Sequence, residues 1–440
     1  MRQKYLFIFI FFSFLLRLSL IPIIGDTNIP NEFSTLVLNI IHNRGFAYYV
    51  VNQENEITTK YIDSSKTIFP SAYMPPAYPY FLAGITSLIR NEKIAVFVIE
   101  IIQAILGSLI CLLVYQTTKE LFNETIAVLS LVISCFYPIL AFSSSQISAV
   151  ILYVFLAQLF LYLVTMLFRE TSPNKILSWN IGAGVVLGLL ILSRAETVLF
   201  AILVIIWLFI SNRKSHWKFT AIFVLAIGIT ISPWVIRNFL VFGELTPLTI
   251  SGGYNLWQGQ NEKSEGTFGS YVVPPVKESE ELQEKIRNIV LSNKYEIDRD
   301  QIYKDEAIKV MRANPGRVIV LAIRKFFYYW GGVYFGFEMN YPQVHSPLVL
   351  GPWFCLLPFF ILGLCNSIKY YKKFMVLYLL LLTSTAVSMV FFVLPRYPIF
   401  VLPTVIMFSS YGFVIAINWL QKKFLFFSKI DISKSIIIQN

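Results

Sequence analysis

Ten runs of apolar residues, each close to the length that a lipid hydrocarbon core demands, leave this chain few ways to fold. Backbone inside lipid has no water to bond, so it must satisfy its own N–H and C=O groups, as a helix does. A helix crosses about 30 Å of hydrocarbon in roughly 20 residues. Runs of suitable length occupy 5–24, 94–117, 124–142, 147–168, 177–193, 196–211, 219–237, 348–366, 374–394 and 398–420. Of 440 residues, 56% are hydrophobic and 14% charged, more apolar and less charged than an ordinary soluble domain. The expected fold is all-α, a polytopic transmembrane helical protein of about ten spans. Arg2, Lys4 and the run Tyr5–Ile24 also fit a secretory leader. That run ends in Pro22 and Gly25 without a small-x-small cleavage pattern, which favours a first span.

Basic residues set the threading. Two further apolar stretches are ambiguous: Pro75–Ile89 is short and opens on Pro-Pro, and Val318–Phe337 carries Arg324 and Lys325 within it. If neither crosses and the N-terminus is cytoplasmic, every basic turn falls on the cytoplasmic side. Those turns hold Lys119, then Arg169 and Lys175, then Arg213, Lys214 and Lys218, then Lys369, Lys372 and Lys373, then Lys422 and Lys423. A crossing at Pro75–Ile89 would turn Arg213, Lys214 and Lys218 outward. Both stretches are therefore read as interfacial or re-entrant helices, and the polar stretches Gly25–Ser71 and Asn238–Ser346 as extracytoplasmic loops.

Three blocks follow. Residues 1–237 form a seven-span core module whose first outer loop is 25–93. Residues 238–346 form an outer segment with helical spacing at Glu278–Val290 and Asp298–Arg312, after Pro274-Pro275. Residues 347–440 form a three-span rear module with a cytoplasmic tail. The net charge of +11 belongs to loops flanking spans and is a topology signal, with no nucleic-acid partner implied. Cys111, Cys135, Cys355 and Cys365 all sit in apolar runs with no C-x-x-C pair, so they form neither a disulfide framework nor a zinc site. No internal repeat supports an inverted-repeat transporter.

The groups able to do chemistry concentrate in the two loops. Asp26 and Glu32 stand just beyond the first span, ahead of Leu36, Leu38, Ile40 and Ile41, whose spacing predicts a short surface helix. A carboxylate there can act as general base on an acceptor hydroxyl, bind a metal, or simply cap a helix. The segment Ser71–Pro79, with Tyr73, Tyr78 and three prolines, fixes an extended lead-in to a helix. Arg194 beside Glu196, Arg237 in Pro233-Trp234-Val235-Ile236-Arg237-Asn238, and Arg396 in Leu394-Pro395-Arg396-Tyr397-Pro398 lie at the outer ends of spans. The positive-inside rule disfavours them there, so each calls for an internal carboxylate or a bound phosphate. Ser251–Asn261 combines glycines, which let backbone approach a ligand, with Asn255, Trp257 and Asn261, types that hydrogen-bond and stack on sugars. His42, His216 and His345 are dispersed, which argues against a histidine metal site or a Ser-His-Asp arrangement.

Taken in order, Tyr73-x-Pro75-Pro76-x-Tyr78-Pro79, Pro233-Trp234-x-x-Arg237-Asn238, Gly253-x-Asn255-Leu256-Trp257-x-Gly259 and Arg396-Tyr397 resemble the GT-C class of polytopic glycosyltransferases. The branch is the bacterial one similar to protein O-mannosyltransferases and the lipid A aminoarabinose transferase, and the resemblance spans most of residues 1–400. It implies an enzyme of the cytoplasmic (inner) membrane with its active site facing the extracytoplasmic side. Such an enzyme takes a sugar from a polyprenyl-phosphate donor and passes it to a lipid, glycan or protein acceptor.

By position, the resemblance assigns the family's first-loop acid to Glu32, with Phe33 where the family usually has Tyr, and leaves Asp26 as the next choice. It gives the donor phosphate to Arg396, helped by Arg237 or Arg194, and substrate contacts to Tyr73, Tyr78, Asn238, Asn255, Trp257 and Asn261. Many relatives carry a Glu after the Tyr-Pro turn, whereas Ser143–Val150 offers Gln146 and Ser148 and no acid. The chemistry expected is one inverting displacement at the anomeric carbon. No cofactor is certain, and a divalent metal ion stays open as an assistant. Two rival classes were weighed. An O-antigen ligase or polymerase uses a diphosphate-linked glycan and would lack the Tyr-x-Pro-Pro and Pro-Trp-x-x-Arg-Asn segments. A transporter or flippase would bury charged residues mid-membrane, where these spans carry almost none.

Overall fold

Every one of the ten apolar runs is helical in the computed structural model, which describes residues 3–51, 57–59, 61, 67–211, 217–246, 248–266, 278–332, 347–394 and 396–424. Arg213, Lys214, His216, Pro274-Pro275, His345 and Pro395 lie outside the described residues, as do 333–346 and 425–440. In chain order the elements are α1 (Gln3–Ile24), α2 (Asn31–Ile41), β1 (Ala47–Val51), β2 (Ile57–Thr58), β3 (Thr67–Pro70), α3 (Ala77–Leu88), α4 (Glu92–Leu121), α5 (Glu124–Phe136), α6 (Pro138–Ser143), α7 (Val150–Leu167), α8 (Pro173–Ser193), α9 (Val198–Ser211), α10 (Trp217–Phe242), α11 (Gly252–Gln260), α12 (Glu280–Arg287), α13 (Tyr295–Ala313), α14 (Pro315–Phe327), α15 (Pro347–Ser367), α16 (Tyr371–Val390) and α17 (Leu402–Phe424).

Among the described residues, seven helical stretches are long and apolar enough to cross a membrane: α1, α4, α7, α8, α10, the joined pair α15 and α16, and α17. Helices α5 and α9 are apolar but shorter. The chain is a multi-pass membrane protein. Run 124–142 breaks where Pro138 opens α6, because proline cannot donate to the preceding turn. The first ambiguous stretch folds as α3, of 12 residues, too short to cross alone. The second begins as α14, of 13 residues, and continues as a π turn over Tyr328–Gly332, with 333–337 outside the described residues. Helix α14 keeps Leu321 and Lys325 buried while Ile319, Val320, Ile323 and Phe327 are exposed.

Short turns join the helices at one end of the bundle, where Lys119 pairs with Glu124 at 3.0 Å and Arg169 pairs with Glu120. The long polar segments all gather at the other end. Close helix contacts rest on glycine. A Cβ on Gly363 would collide with the Phe408 carbonyl and one on Gly412 with the Phe359 carbonyl, so α15 and α17 lie backbone to backbone. Gly184 and Gly188 play the same part between α8 and α10.

The expected all-α body is present, and the first loop adds a small antiparallel sheet, β1 between β2 and β3 in the order β2-β1-β3. Among the few charges within spans are Arg17 in α1 and Glu100 in α4, both about 1% exposed. Arg17 donates to the Ser13 carbonyl at 3.1 Å and the Cys135 carbonyl at 3.3 Å. Glu100 accepts the Asp26 amide at 2.7 Å. Each charged group is solvated by polar protein atoms in place of water, which is what makes it tolerable at such depth.

Candidate active site

The first loop and the segments around 139–150, 251–255 and 392–399 enclose a cavity of about 560 Å³, inside the usual range of small-molecule sites, about 300–1,000 Å³. Its lining comes from the end of the bundle where α1, α6, α10 and α16 finish and α7 and α17 begin. Of the residues singled out by sequence, the cavity brings together Asp26, Glu32, Tyr73, Asn255 and Arg396. Arg194, Arg237, Tyr78, Asn238, Trp257 and Asn261 are not among its lining residues.

Glu32 and Arg396 face each other. Glu32 occupies the first turn of α2, where a helix N-terminus favours negative charge. Helix α2 is anchored by Phe33, Leu36 and Val37, all buried, with the Phe33 ring 5.1 Å from that of Tyr78. Arg396 lies between α16 and α17, and the main chain leading to it is clamped. The Val390 carbonyl accepts from Gln260 at 2.8 Å and from the buried Lys325 at 3.3 Å, and the Val393 amide donates to the Gly266 carbonyl at 3.0 Å. So held, the guanidinium meets the carboxylate through two contacts, at 3.3 and 3.4 Å. Both side chains are open to the cavity, at 45% and 41% exposure.

Asp26 is tied down more firmly. Its carboxylate accepts the Ile147 amide at 2.7 Å and its own amide donates to Glu100, which joins the first loop to the α6–α7 connection. Gln146, at the place where an acid was looked for, donates to the Ile24 carbonyl at 2.6 Å, and its own carbonyl accepts from Gln103 at 2.7 Å. Gln103 in turn accepts the hydroxyl of Tyr78 at 2.9 Å, so Tyr78 braces this wall from behind. On the opposite wall, Tyr73 stacks on Tyr48 at 5.4 Å, with Tyr254 at 6.3 Å.

The remaining predicted residues do not line the cavity, and two of the arginines expected at a phosphate have protein partners. Arg237 donates to the Ser71 carbonyl at 2.7 Å and the Phe46 carbonyl at 2.9 Å. Trp234 donates to the Leu248 carbonyl at 2.7 Å, and Asn238 to the Thr246 carbonyl at 3.0 Å. The Pro-Trp-x-x-Arg-Asn segment thus fastens α10 to both polar loops. Arg194 is ion-paired with Glu196 at 3.3 Å and lies 4.8–5.0 Å from the rings of Tyr153, Tyr397 and Phe400, which settles its charge inside the fold. Trp257 packs on Tyr303 at 5.1 Å, and Asn261 caps α11 by donating to the Trp257 carbonyl at 2.9 Å.

Glycines of the Gly253-x-Asn255-Leu256-Trp257-x-Gly259 segment serve backbone contact. A Cβ on Gly253 would strike the Asp300 carbonyl and one on Gly259 the Phe391 carbonyl. The Asp300 carboxylate caps α11, accepting the Gly253 and Tyr254 amides at 2.9 Å each. Glu296, unremarked in the sequence, is 2% exposed and accepts the Ser71 hydroxyl at 2.7 Å and the Ala72 amide at 2.6 Å. Burial pushes its carboxyl up to about 7, against the lowering effect of those two hydrogen bonds. Asp300 and Glu296 sit in a helix of surface composition, which gives no sign of which acids turn inward. Tyr254 stands inside the Ser251–Asn261 segment read as suited to sugars, and nothing in the sequence marks Tyr48.

Among the described residues no three His, Cys, Asp or Glu side chains converge on a point. The two acids lining the cavity are Asp26 and Glu32, and each already has a protein partner. The proposed reaction takes no step through a divalent ion.

Residues 73–236 match the family model described as dolichyl-phosphate-mannose-protein mannosyltransferase. No curated protein matches the chain. Among solved structures, the apo oligosaccharyltransferase of Archaeoglobus fulgidus superposes with a TM-score of 0.56 at 14% identity, covering 96% of this chain and 52% of that one. The same organism's oligosaccharyltransferase AglB, in complex with an inhibitory peptide and a dolichol-phosphate, gives 0.55 at 13% identity over 98% and 52%. The chain has a GT-C fold. It spans about half the length of those archaeal chains. ArnT of Cupriavidus metallidurans bound to undecaprenyl phosphate gives 0.40 at 11% identity over 98% and 81%. The family match includes Tyr73, Tyr78 and Arg194 and leaves out Glu32 and Arg396, whose pairing is a finding of geometry.

Proposed function

We propose that the protein is a membrane glycosyltransferase that moves a sugar from a polyprenyl-phosphate donor to a hydroxyl of a lipid, glycan or protein acceptor. The observation that carries this reading is the facing of Glu32 and Arg396 across one cavity at the loop-bearing end of the bundle. The family match over 73–236 and the GT-C fold support it. The membrane is the cytoplasmic one and the cavity faces outward, as the placement of basic turns at the other end implies.

In the proposed reaction the acceptor oxygen attacks the anomeric carbon from the side opposite the phosphate, which inverts the centre. Glu32 takes the acceptor's proton, a role that a side chain open to the cavity can perform and that Asp26, held by the Ile147 amide, performs less readily. The bond from the anomeric carbon to the phosphate oxygen breaks toward the phosphate, and Arg396 neutralises the charge that grows there. The lipid tail runs along the apolar helix surfaces while the head group enters the cavity. The wall of Tyr48, Tyr73 and Tyr254 supplies ring faces and hydroxyls for pyranose recognition.

The test is transfer from a polyprenyl-phosphate sugar in membranes carrying Glu32→Gln or Arg396→Ala. Loss of a general base costs about 10²–10⁴ in rate, and loss of a charge-stabilising donor about 10²–10³. Rates unchanged in both variants would reject the assignment.

A further inference from the structure

The three arginines assigned to the donor phosphate from sequence have partners that differ in kind. Arg237 is committed to main-chain carbonyls, and Arg194 to Glu196 and three rings. Neither arrangement can be exchanged without dismantling the fold. Arg396 instead holds a single carboxylate, in the open, inside the cavity. Its contacts of 3.3 and 3.4 Å exceed the 2.7–2.9 Å or so of a tight charge-assisted pair. Such a loose, exposed ion pair is weak. A tetrahedral phosphate reaching the same guanidinium can offer two oxygens at shorter range. The two anions compete for one seat, the Nη1 and Nη2 edge of Arg396 that Glu32 occupies.

We propose that Glu32 holds the seat of the donor phosphate on Arg396, and that the arriving phosphate displaces it, freeing the carboxylate to act on the acceptor. The inference rests on the transferase reading given above. It makes the base unavailable until the donor is in place, so donor binding precedes activation of the acceptor. During transfer the acceptor oxygen bonds to the anomeric carbon, the electron pair of the broken bond passes to the phosphate oxygen, and the acceptor proton passes to Glu32. As a neutral acid Glu32 no longer competes for Arg396. Once it yields that proton to water it competes again, and lowers the affinity for the polyprenyl phosphate left behind by about threefold to fivefold. One side chain thereby masks itself before the reaction and favours release after it.

The experiment measures binding of undecaprenyl phosphate to the full chain in lipid nanodiscs, for wild type, Glu32→Gln, Glu32→Ala, Arg396→Gln and the Glu32→Gln/Arg396→Gln double variant. Removing the competing carboxylate should tighten binding about threefold to fivefold in both Glu32 variants, the reach of an exposed ion pair. Arg396→Gln should weaken binding about tenfold or more, and the double variant should bind no tighter than Arg396→Gln alone. Glu32 variants that bind as wild type or more weakly, beside a weakened Arg396→Gln, overturn the displacement and leave the phosphate seat standing. Arg396→Gln binding as wild type removes the phosphate seat itself and the displacement with it. Two different replacements of Glu32 guard against a defect peculiar to one.

Discussion

At the scale of single residues, the protein separates charges that hold the structure from charges that face the cavity. Glu296 belongs to the first kind. With its carboxyl pushed up to about 7 from an ordinary 4.5, the folded protein keeps a proton there that the unfolded chain has already lost. The stability this gives is full below about pH 4.5 and is lost as pH rises through about 7. The melting temperature in detergent should therefore fall between pH 5 and pH 8, and Glu296→Gln should flatten that slope. An identical slope in the variant would assign the effect elsewhere. The sequence shows why such residues are hard to sort. Arg194, Arg237 and Arg396 all stand where a basic residue is unwelcome, and that signal reports that a partner exists. It does not distinguish a carbonyl, a ring or a carboxylate in a cavity, since these depend on which way a side chain turns and what chain lies opposite. The resemblance put Glu32 ahead of Asp26, and the Arg396 guanidinium beside the one and the Ile147 amide on the other set them apart.

At the scale of elements, apolar length was sufficient to find the helices, because lipid imposes a length and an absence of charge that few other environments do. Three features escaped it. The strands of the small sheet run 5, 2 and 4 residues, too short for alternation to stand out. Arg17 and Glu100 sit inside spans because neighbouring helices solvate them, a property of the neighbours rather than of the run. Helix α11 had turn-like composition, yet it is fixed as a helix by the Asp300 cap and by its close approach to α13 and Phe391. That approach yields a test. Gly259→Ala forces a methyl into the Phe391 carbonyl and should destabilise by about 1–3 kcal/mol, while loosening the main chain that carries Arg396. Gly252→Ala, whose added methyl meets nothing within 4 Å, serves as the control. Equal melting temperatures for the two variants would remove the steric account.

At the scale of the whole molecule, the long loops and the cavity share one end of the bundle and the short basic turns share the other. The alternation of helices puts the end of α9, at Ser211, at the end of the bundle opposite the polar loop that holds α12. An alkaline phosphatase fusion at 280 should be active and one at 215 inactive, and the reverse pattern would invert the proposed orientation. The order of segments that resembled GT-C enzymes reappears as the order in which the chain builds its loop-bearing end. What the order could not convey was that the Pro-Trp-x-x-Arg-Asn segment also ties α10 to both polar loops.

Glu32 and Arg396 are 364 positions apart in the chain. A ribosome therefore makes the acid long before the cation, which follows α16. A copy interrupted between the two has no cation for the acid to answer to. On the proposed reading, such a copy lodged in the membrane has no means of consuming the cell's lipid-linked sugar.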